Sequence, residues 1–282
     1  MIRIENLIFS YTKKPFIERM SFSVERGEIF GFLGPSGAGK STLQKILTGQ
    51  LPGYGGSVKV FSGELRSHGR DFYERIGIDF EFPTLYEKLT ARQNLKFFGS
   101  LYSSPMRDID KLLAAVELSQ DADKKVSDYS KGMKSRLSFL RALINDPEIL
   151  FLDEPTSGLD PANARLMKNI ILEEKAKGKT VILTTHNMQD AQELCDRVAF
   201  IVNGGIAALD TPHNLIMRRG ASSVRYSWLE DGKECTGECA LDKTTDDTRL
   251  QKLVSEGKLL TIHSAEPNLG DIFMEVTGRA LQ

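Results

Sequence analysis

Cysteine, histidine and tryptophan are scarce: 282 residues hold three, four and one of them. The cysteines are Cys195, Cys235 and Cys239. So few thiols, in odd number, exclude a disulfide framework and suit the reducing cytoplasm. Cys235 and Cys239 could share a metal, but neither a second pair nor a histidine cluster completes the usual four ligands, so plain thiols are expected. No run approaches the ~20 apolar residues of a membrane span. The longest apolar tracts, Ile29–Gly39 and Val198–Leu209, are broken by glycines. The opening Met1-Ile2-Arg3-Ile4-Glu5-Asn6 places charges where a signal peptide needs its apolar core. A net charge of -1 lacks the basic excess that would point to nucleic acid or an anionic membrane. The expectation is a soluble cytoplasmic chain without a nucleic-acid partner, whose membrane role, if any, is borrowed from another subunit.

What the chain does have is an ordinary globular balance, 40% hydrophobic and 27% charged. Short strand patterns open it at Ile2–Ile4, Leu7–Tyr11, Phe22–Val24 and Glu28–Leu33, the last running into a glycine-rich loop. Ser41–Thr48 reads as a helix, broken by Gly53, Gly55 and Gly56. Residues 87–145 are helical by pattern. Thr90-Ala91-Arg92-Gln93 has capping-box form, and Leu95, Phe98, Leu101 and Tyr102 follow at helical spacing until Pro105. A second helix carries Ile109, Leu112, Leu113 and Val116, and a third spans Gly132 to Ile144. Apolar runs at Ile149–Leu152, Val181–Thr185 and Val198–Val202 alternate with helical stretches, as in a parallel sheet covered on both faces. Past Ile216 the character changes. Val224, Tyr226 and Trp228 alternate before the turn pair Asp231-Gly232, a hairpin signal. The polar tract Asp231–Asp247 reads as a loop, followed by a strand over Leu259–Ile262 and a helix carrying Leu269, Ile272, Phe273 and Val276.

Gly34-Pro35-Ser36-Gly37-Ala38-Gly39-Lys40-Ser41-Thr42 contains G-x-x-x-x-G-K-S between a strand and a helix. Glycines let backbone N–H groups turn inward around phosphates, and the helix N-terminus favours negative charge. Lys40 would reach the terminal phosphates and the Ser41 hydroxyl would ligate Mg²⁺. Ile149-Leu150-Phe151-Leu152 then runs into Asp153-Glu154. A buried parallel strand delivers its C-terminal end to the ligand crevice, where Asp153 would hold Mg²⁺ through water and Glu154 would polarise an attacking water. Adjacent acids beside a polyphosphate imply a divalent cation.

Asp128-Tyr129-Ser130-Lys131-Gly132-Met133 stands upstream of that strand, Ser157-Gly158-Leu159-Asp160 just after it, and His186 follows Leu183-Thr184-Thr185. Over residues 1 to about 215 this order resembles the ATP-binding-cassette (ABC) family: its signature, D-loop and switch histidine. The resemblance implies an α/β fold: a P-loop NTPase core with a mostly parallel sheet, an N-terminal antiparallel β subdomain and an inserted α-helical subdomain (87–145). Residues 216–282 would form a small C-terminal α/β lobe. It implies ATP and Mg²⁺ as cofactors and a head-to-tail homodimer in which Ser130 and Gly132 of one subunit meet the γ-phosphate held by Lys40 of the other. Glu154, His186 and Lys40 would be catalytic, and Tyr11 would stack on adenine. Two positions depart from the pattern: Lys131 replaces a signature glycine, and Glu81 falls where the family has a glutamine. Gln93 comes too late to substitute, so Glu81 is expected to contact Mg²⁺. Phe82, Leu85 and Tyr86 are candidates for either core or permease contact. The segment Leu260–Pro267 with Asp271-Ile272-Phe273 resembles bacterial drug- and antibiotic-exporter ATPases. Those work with separately encoded membrane permeases, which would hold the chain on the inner face of the cell membrane. A non-transport ABC ATPase and an ATP-binding regulatory subunit are the alternatives the resemblance leaves open.

Overall fold

In a computed structural model, residues 1–218, 223–265 and 267–278 are described. Two compact units divide at Leu209/Asp210. In chain order the first holds β1 (Ile2–Phe9), β2 (Ile17–Val24), β3 (Ile29–Leu33), α1 (Lys40–Leu47), β4 (Gly55–Val60), β5 (Gly63–Glu64), α2 (Arg70–Glu74) and β6 (Ile76–Asp79). There follow α3 (Ala91–Gly99), α4 (Ile109–Ala115), α5 (Lys131–Leu143), β7 (Ile149–Asp153), α6 (Pro161–Ala176), β8 (Thr180–Thr185), α7 (Met188–Leu194), β9 (Arg197–Val202) and β10 (Gly205–Asp210). The second unit holds α8 (Pro212–Met217), β11 (Ser223–Glu230), β12 (Lys233–Ala240), α9 (Thr248–Ser255), β13 (Leu259–Ala265) and α10 (Leu269–Thr277).

A six-stranded sheet runs β10-β9-β3-β8-β7-β6, with β9, β3, β8, β7 and β6 parallel. All five residues of β3 and all six of β8 are buried, as strands covered on both faces must be. A second sheet, β2-β1-β4-β5, is antiparallel. Its strand β1 alternates between core and solvent, so one face packs and the other meets water. One core cluster joins Ile4 and Leu7 of β1 and Val58 of β4 to Leu43 and Ile46 of α1, and these to Phe32, Phe151 and Ile182 of the large sheet. The helix carrying the phosphate-loop lysine is thus gripped by both sheets.

Several boundaries differ from the sequence reading. Ile2–Ile4 and Leu7–Phe9 are one strand, which stops short of Tyr11 and whose pairing slips between Ile4 and Leu7, where Asn6 takes a left-handed φ of 52°, so a bulge splits the pattern. Thr90 and Gln93 do form a reciprocal capping box, but α3 ends at Gly99, before Leu101 and Tyr102, well short of Pro105. Gly77 lets β6 lie directly on α5: a β-carbon there would stand 1.9 Å from the Ala142 carbonyl oxygen.

In the second unit β12, β11 and β13 form an antiparallel sheet, with Leu250 and Leu253 of α9 on Tyr226 and Trp228. The tract read as a loop from Asp231 contains β12, paired without a break from Glu230↔Lys233 to Ser223↔Ala240. Asp231 and Gly232 both have positive φ, 51° and 76°, as a tight two-residue hairpin turn requires. Of the exporter-like tail, Glu266 lies outside the described residues.

A buried ionic cluster pins the segment before α4 to the core. The Glu174 carboxylate, on α6 and 1% exposed, accepts from Arg107 at 2.9 Å and Lys177 at 2.7 Å, with Lys179 at 3.4 Å. Burial pushes this carboxyl up, but the Lys177 bond and the Arg107 and Lys179 charges outweigh it and hold it below the usual range. A depressed acid contributes stability above its unfolded value, and that contribution is lost as pH falls through the folded one. Glu174→Gln is therefore expected to cost about 3–5 kcal/mol near neutral pH by removing the buried negative charge that Arg107, Lys177 and Lys179 share. Denaturant titrations should show the difference from wild type shrinking as pH falls below the ordinary carboxylate range; a difference independent of pH would refute the assignment.

Candidate functional site

The C-terminal ends of β3, β7 and β8 deliver three loops to one place, the crevice where open parallel sheets bind ligands. A cavity of about 300 Å³ there is lined by Phe16, Ser36, Gly37, Gly39, Lys40, Ser41, Thr42, Glu81, Asp153, Glu154 and His186. Gly37 and Gly39 adopt φ of 76° and 115°, values that aim successive amides inward at no steric cost. Gly34 and Pro35 lie behind the loop: Lys40 Nζ donates to their carbonyls at 2.5 and 3.2 Å, and the Ala38 amide donates to Pro35 at 3.2 Å. Burial lowers the Lys40 pKa, only partly opposed by Glu154, Asp153 and Glu81.

Lys40 thus faces three carboxylates. Asp153 accepts a hydrogen bond from the Thr184 hydroxyl. Glu154 accepts from Thr185 Oγ1 at 3.2 Å through Oε2 and from His186 Nδ1 at 2.9 Å through Oε1. Because the carboxylate accepts, the imidazole carries a proton on Nδ1. Glu154 has a left-handed φ of 51°, held by its own amide on the Thr184 carbonyl at 3.0 Å. Just before Glu81, Asp79 is buried, and desolvation pushes its carboxyl up to about 7 despite the hydrogen bond from Ser138. Ser41, Glu81 and Asp153 are all oxygen donors, the chemistry a hard divalent cation takes. Among the described residues no group of three His, Cys, Asp or Glu could hold a metal by itself. Such an ion would complete its shell with ligand and water oxygens, a pattern that fits Mg²⁺.

Tyr11 stands beside this cavity, 57% exposed, its hydroxyl 2.9 Å from Thr42 Oγ1 and its ring edge-on to Phe9 and Phe16. It borders an open recess shared with Pro15, Phe16, Gly37 and Asn203. Ser130 and Gly132 are not in the cavity lining. Ser130 caps α5, accepting from the Met133 amide at 3.2 Å, and Gly132 faces Leu159. Sequence reasoning missed Phe16, which borders both recesses, and the hydroxyls of Thr184 and Thr185. Phe16 gave no periodic signal, and the threonines read only as strand residues.

A glycine loop closed on a lysine, with adjacent acids ending the next strand but one of a parallel sheet, defines a P-loop nucleotide triphosphatase. The family model described as "ABC transporter" matches residues 17–157. Over its whole length the chain is 52% identical to a fluoroquinolones export ATP-binding protein of Mycobacterium tuberculosis, covering 94% of it. It is likewise 36% identical to Nod factor export ATP-binding protein I of Rhizobium meliloti, covering 89% of that protein. Among solved structures, the ATP binding subunit of an ABC transporter superposes with a TM-score of 0.71 at 27% identity, over 78% of this chain and 93% of that one. A nucleotide-free ATP-binding cassette from an ABC transporter gives 0.66 at 27%, over 75% and 91%. The chain belongs to the ABC transporter family, as an ATP-binding subunit with ATPase activity.

At Gly34 a β-carbon would stand 2.3 Å from the Ile201 carbonyl oxygen, so any side chain pushes the loop off β9. Gly34→Ala is expected to weaken ATP binding about 10–100-fold by misaiming a donor to a charged group. Titration with a fluorescent nucleotide checks this, and unchanged affinity would remove the loop backbone from the binding site.

Proposed function

We propose that this chain is the ATP-hydrolysing subunit of an exporter, acting as a homodimer on the cytoplasmic face of a membrane permease. The observation that carries the reading is the convergence of Lys40, Glu81, Asp153, Glu154 and His186 on one cavity. Lys40 and the amides of residues 36–42 bind the β- and γ-phosphates, with Gly34 and Pro35 shaping the loop behind them, and Tyr11 packs on the base. Ser41, Asp153 and Glu81 hold Mg²⁺, which when bound neutralises the phosphate oxygens. Glu154 orients and deprotonates the attacking water, and His186 fixes the Glu154 carboxylate while facing the γ-phosphate. Ser130 and Gly132, outside the lining of their own cavity, serve the twin subunit's nucleotide. Residues 1–215 act as the nucleotide-binding domain and 216–282 as an accessory lobe.

Export is supported by the relatives named above, which match the chain from end to end. A permease contact is supported by Phe82 and Tyr86, which are 74% and 50% exposed and so are not core. Tyr86 also stacks edge-on with Phe97, ring centroids 4.9 Å apart, extending the apolar surface. No helix among the described residues is long and apolar enough to cross a membrane, so translocation needs another subunit.

Glu154→Gln is expected to keep ATP binding while cutting turnover on the order of 10²–10³-fold. Steady-state hydrolysis beside equilibrium binding decides it; a variant with normal turnover removes Glu154 from its role. Glu81→Gln is expected to raise the Mg²⁺ concentration for half-maximal hydrolysis on the order of tenfold. An unchanged Mg²⁺ midpoint and rate would show that the Glu81 charge plays no part in holding the ion.

A further inference from the structure

Glu154 is bent against its surroundings. Its φ of 51° is left-handed, and it precedes Pro155, a position that favours extended backbone. Such a conformation persists only where the surroundings over-determine it. Here the hydrogen bond from the Glu154 amide to the Thr184 carbonyl is joined by a chain of hydrogen bonds that closes through the backbone between Glu154 and Thr156. From the carboxylate the chain runs to Thr185 Oγ1 at 3.2 Å, and that oxygen accepts from the Asn187 amide at 2.9 Å. Asn187 Oδ1 caps α7, accepting from the Asp190 amide at 3.2 Å. The Asp190 carboxylate, 5% exposed, accepts at 2.5 Å from the hydroxyl of Thr156, two residues beyond Glu154. Lys168 Nζ on α6, 3.1 Å from the other Asp190 oxygen, balances the buried charge.

We propose that Thr156 and Asp190 are positioning residues that lock the loop after β7 to the helix after β8, and so fix Glu154 against His186 at the γ-phosphate. Neither lines the cavity; both act through Glu154. The proposal rests on Glu154 being the group that activates water. The Thr156–Asp190 bond joins residues 34 apart in sequence, one on the acidic loop and one on the switch-histidine helix. Removing it frees the loop to relax toward an extended Glu154, which withdraws the carboxylate without touching the phosphate-binding amides.

The test compares the full-length wild type with Thr156→Val, which keeps shape and loses the hydroxyl, and Thr156→Ser, which restores it. Thr156→Val is expected to lower kcat roughly 10–100-fold, the scale of a small misplacement of a catalytic group, with KM for ATP within about twofold of wild type. Thr156→Ser should recover most of the rate. In kcat, Asp190→Ala should add little to Thr156→Val in the double variant, because both remove the Thr156–Asp190 bond and Lys168 keeps its pairing with Glu193. Wild-type kcat in Thr156→Val would overturn the proposal. So would a loss that falls on KM and melting temperature with no rescue by serine. A wild-type chain that binds ATP but does not hydrolyse it would overturn the role of Glu154 as well, which separates the two failures.

Discussion

One lysine ammonium set against three carboxylates in a cavity of about 300 Å³ governs the rest of the molecule. Such a cavity repels a polyphosphate unless dipoles and cations are aimed with little freedom. The fold supplies that rigidity. β3 is buried along its whole length, α1 follows the glycine loop directly, and its Leu43 and Ile46 are fixed by both sheets. The acids and the histidine stand at the ends of β7 and β8, strands paired with each other in register. Amide donors and carboxylates therefore hold their spacing because one parallel ladder sets it.

Much of this was legible in the sequence, for a definite reason. Strands covered on both faces have to be apolar throughout, so β3, β7, β8 and β9 announce themselves, and their C-terminal ends locate the site. Strands defined by their partners were hidden. β12 has no buried residue and carries Lys233, Glu234 and Glu238; only its pairing with β11 makes it a strand. β4 opens with two glycines, one at a φ of 80°, which read as a break and not a strand. β6 is four residues long and carries a glycine demanded by α5, too short for a periodic signal.

The site divides along the same line. Residues whose chemistry is local, such as the amides of the glycine loop, follow from spacing alone. Thr185, Thr156 and Asp190 do not, because their meaning lies in contacts 31 to 34 residues apart that only the folded sheet creates. Glu81 is an intermediate case. Its place was found by resemblance, but its position beside Lys40, Asp153 and Glu154 is what gives its charge consequence.

That charge stands on a short segment with two hard links to α5. Ser138 donates to Asp79 at 2.7 Å, and Arg141 donates to the Thr84 carbonyl at 2.7 Å. Both links are buried or half-buried, where a hydrogen bond is stronger and its loss costs more than at the surface. α5 is a single 13-residue helix whose far end is capped by Ser130. The segment that carries Glu81 is therefore tied to a helix whose other end is capped by Ser130. A glutamine would fit the same space without the charge. With a carboxylate, the segment tied to α5 adds a negative charge to a lining that already holds Asp153 and Glu154, so only a bound cation makes room there for a polyphosphate.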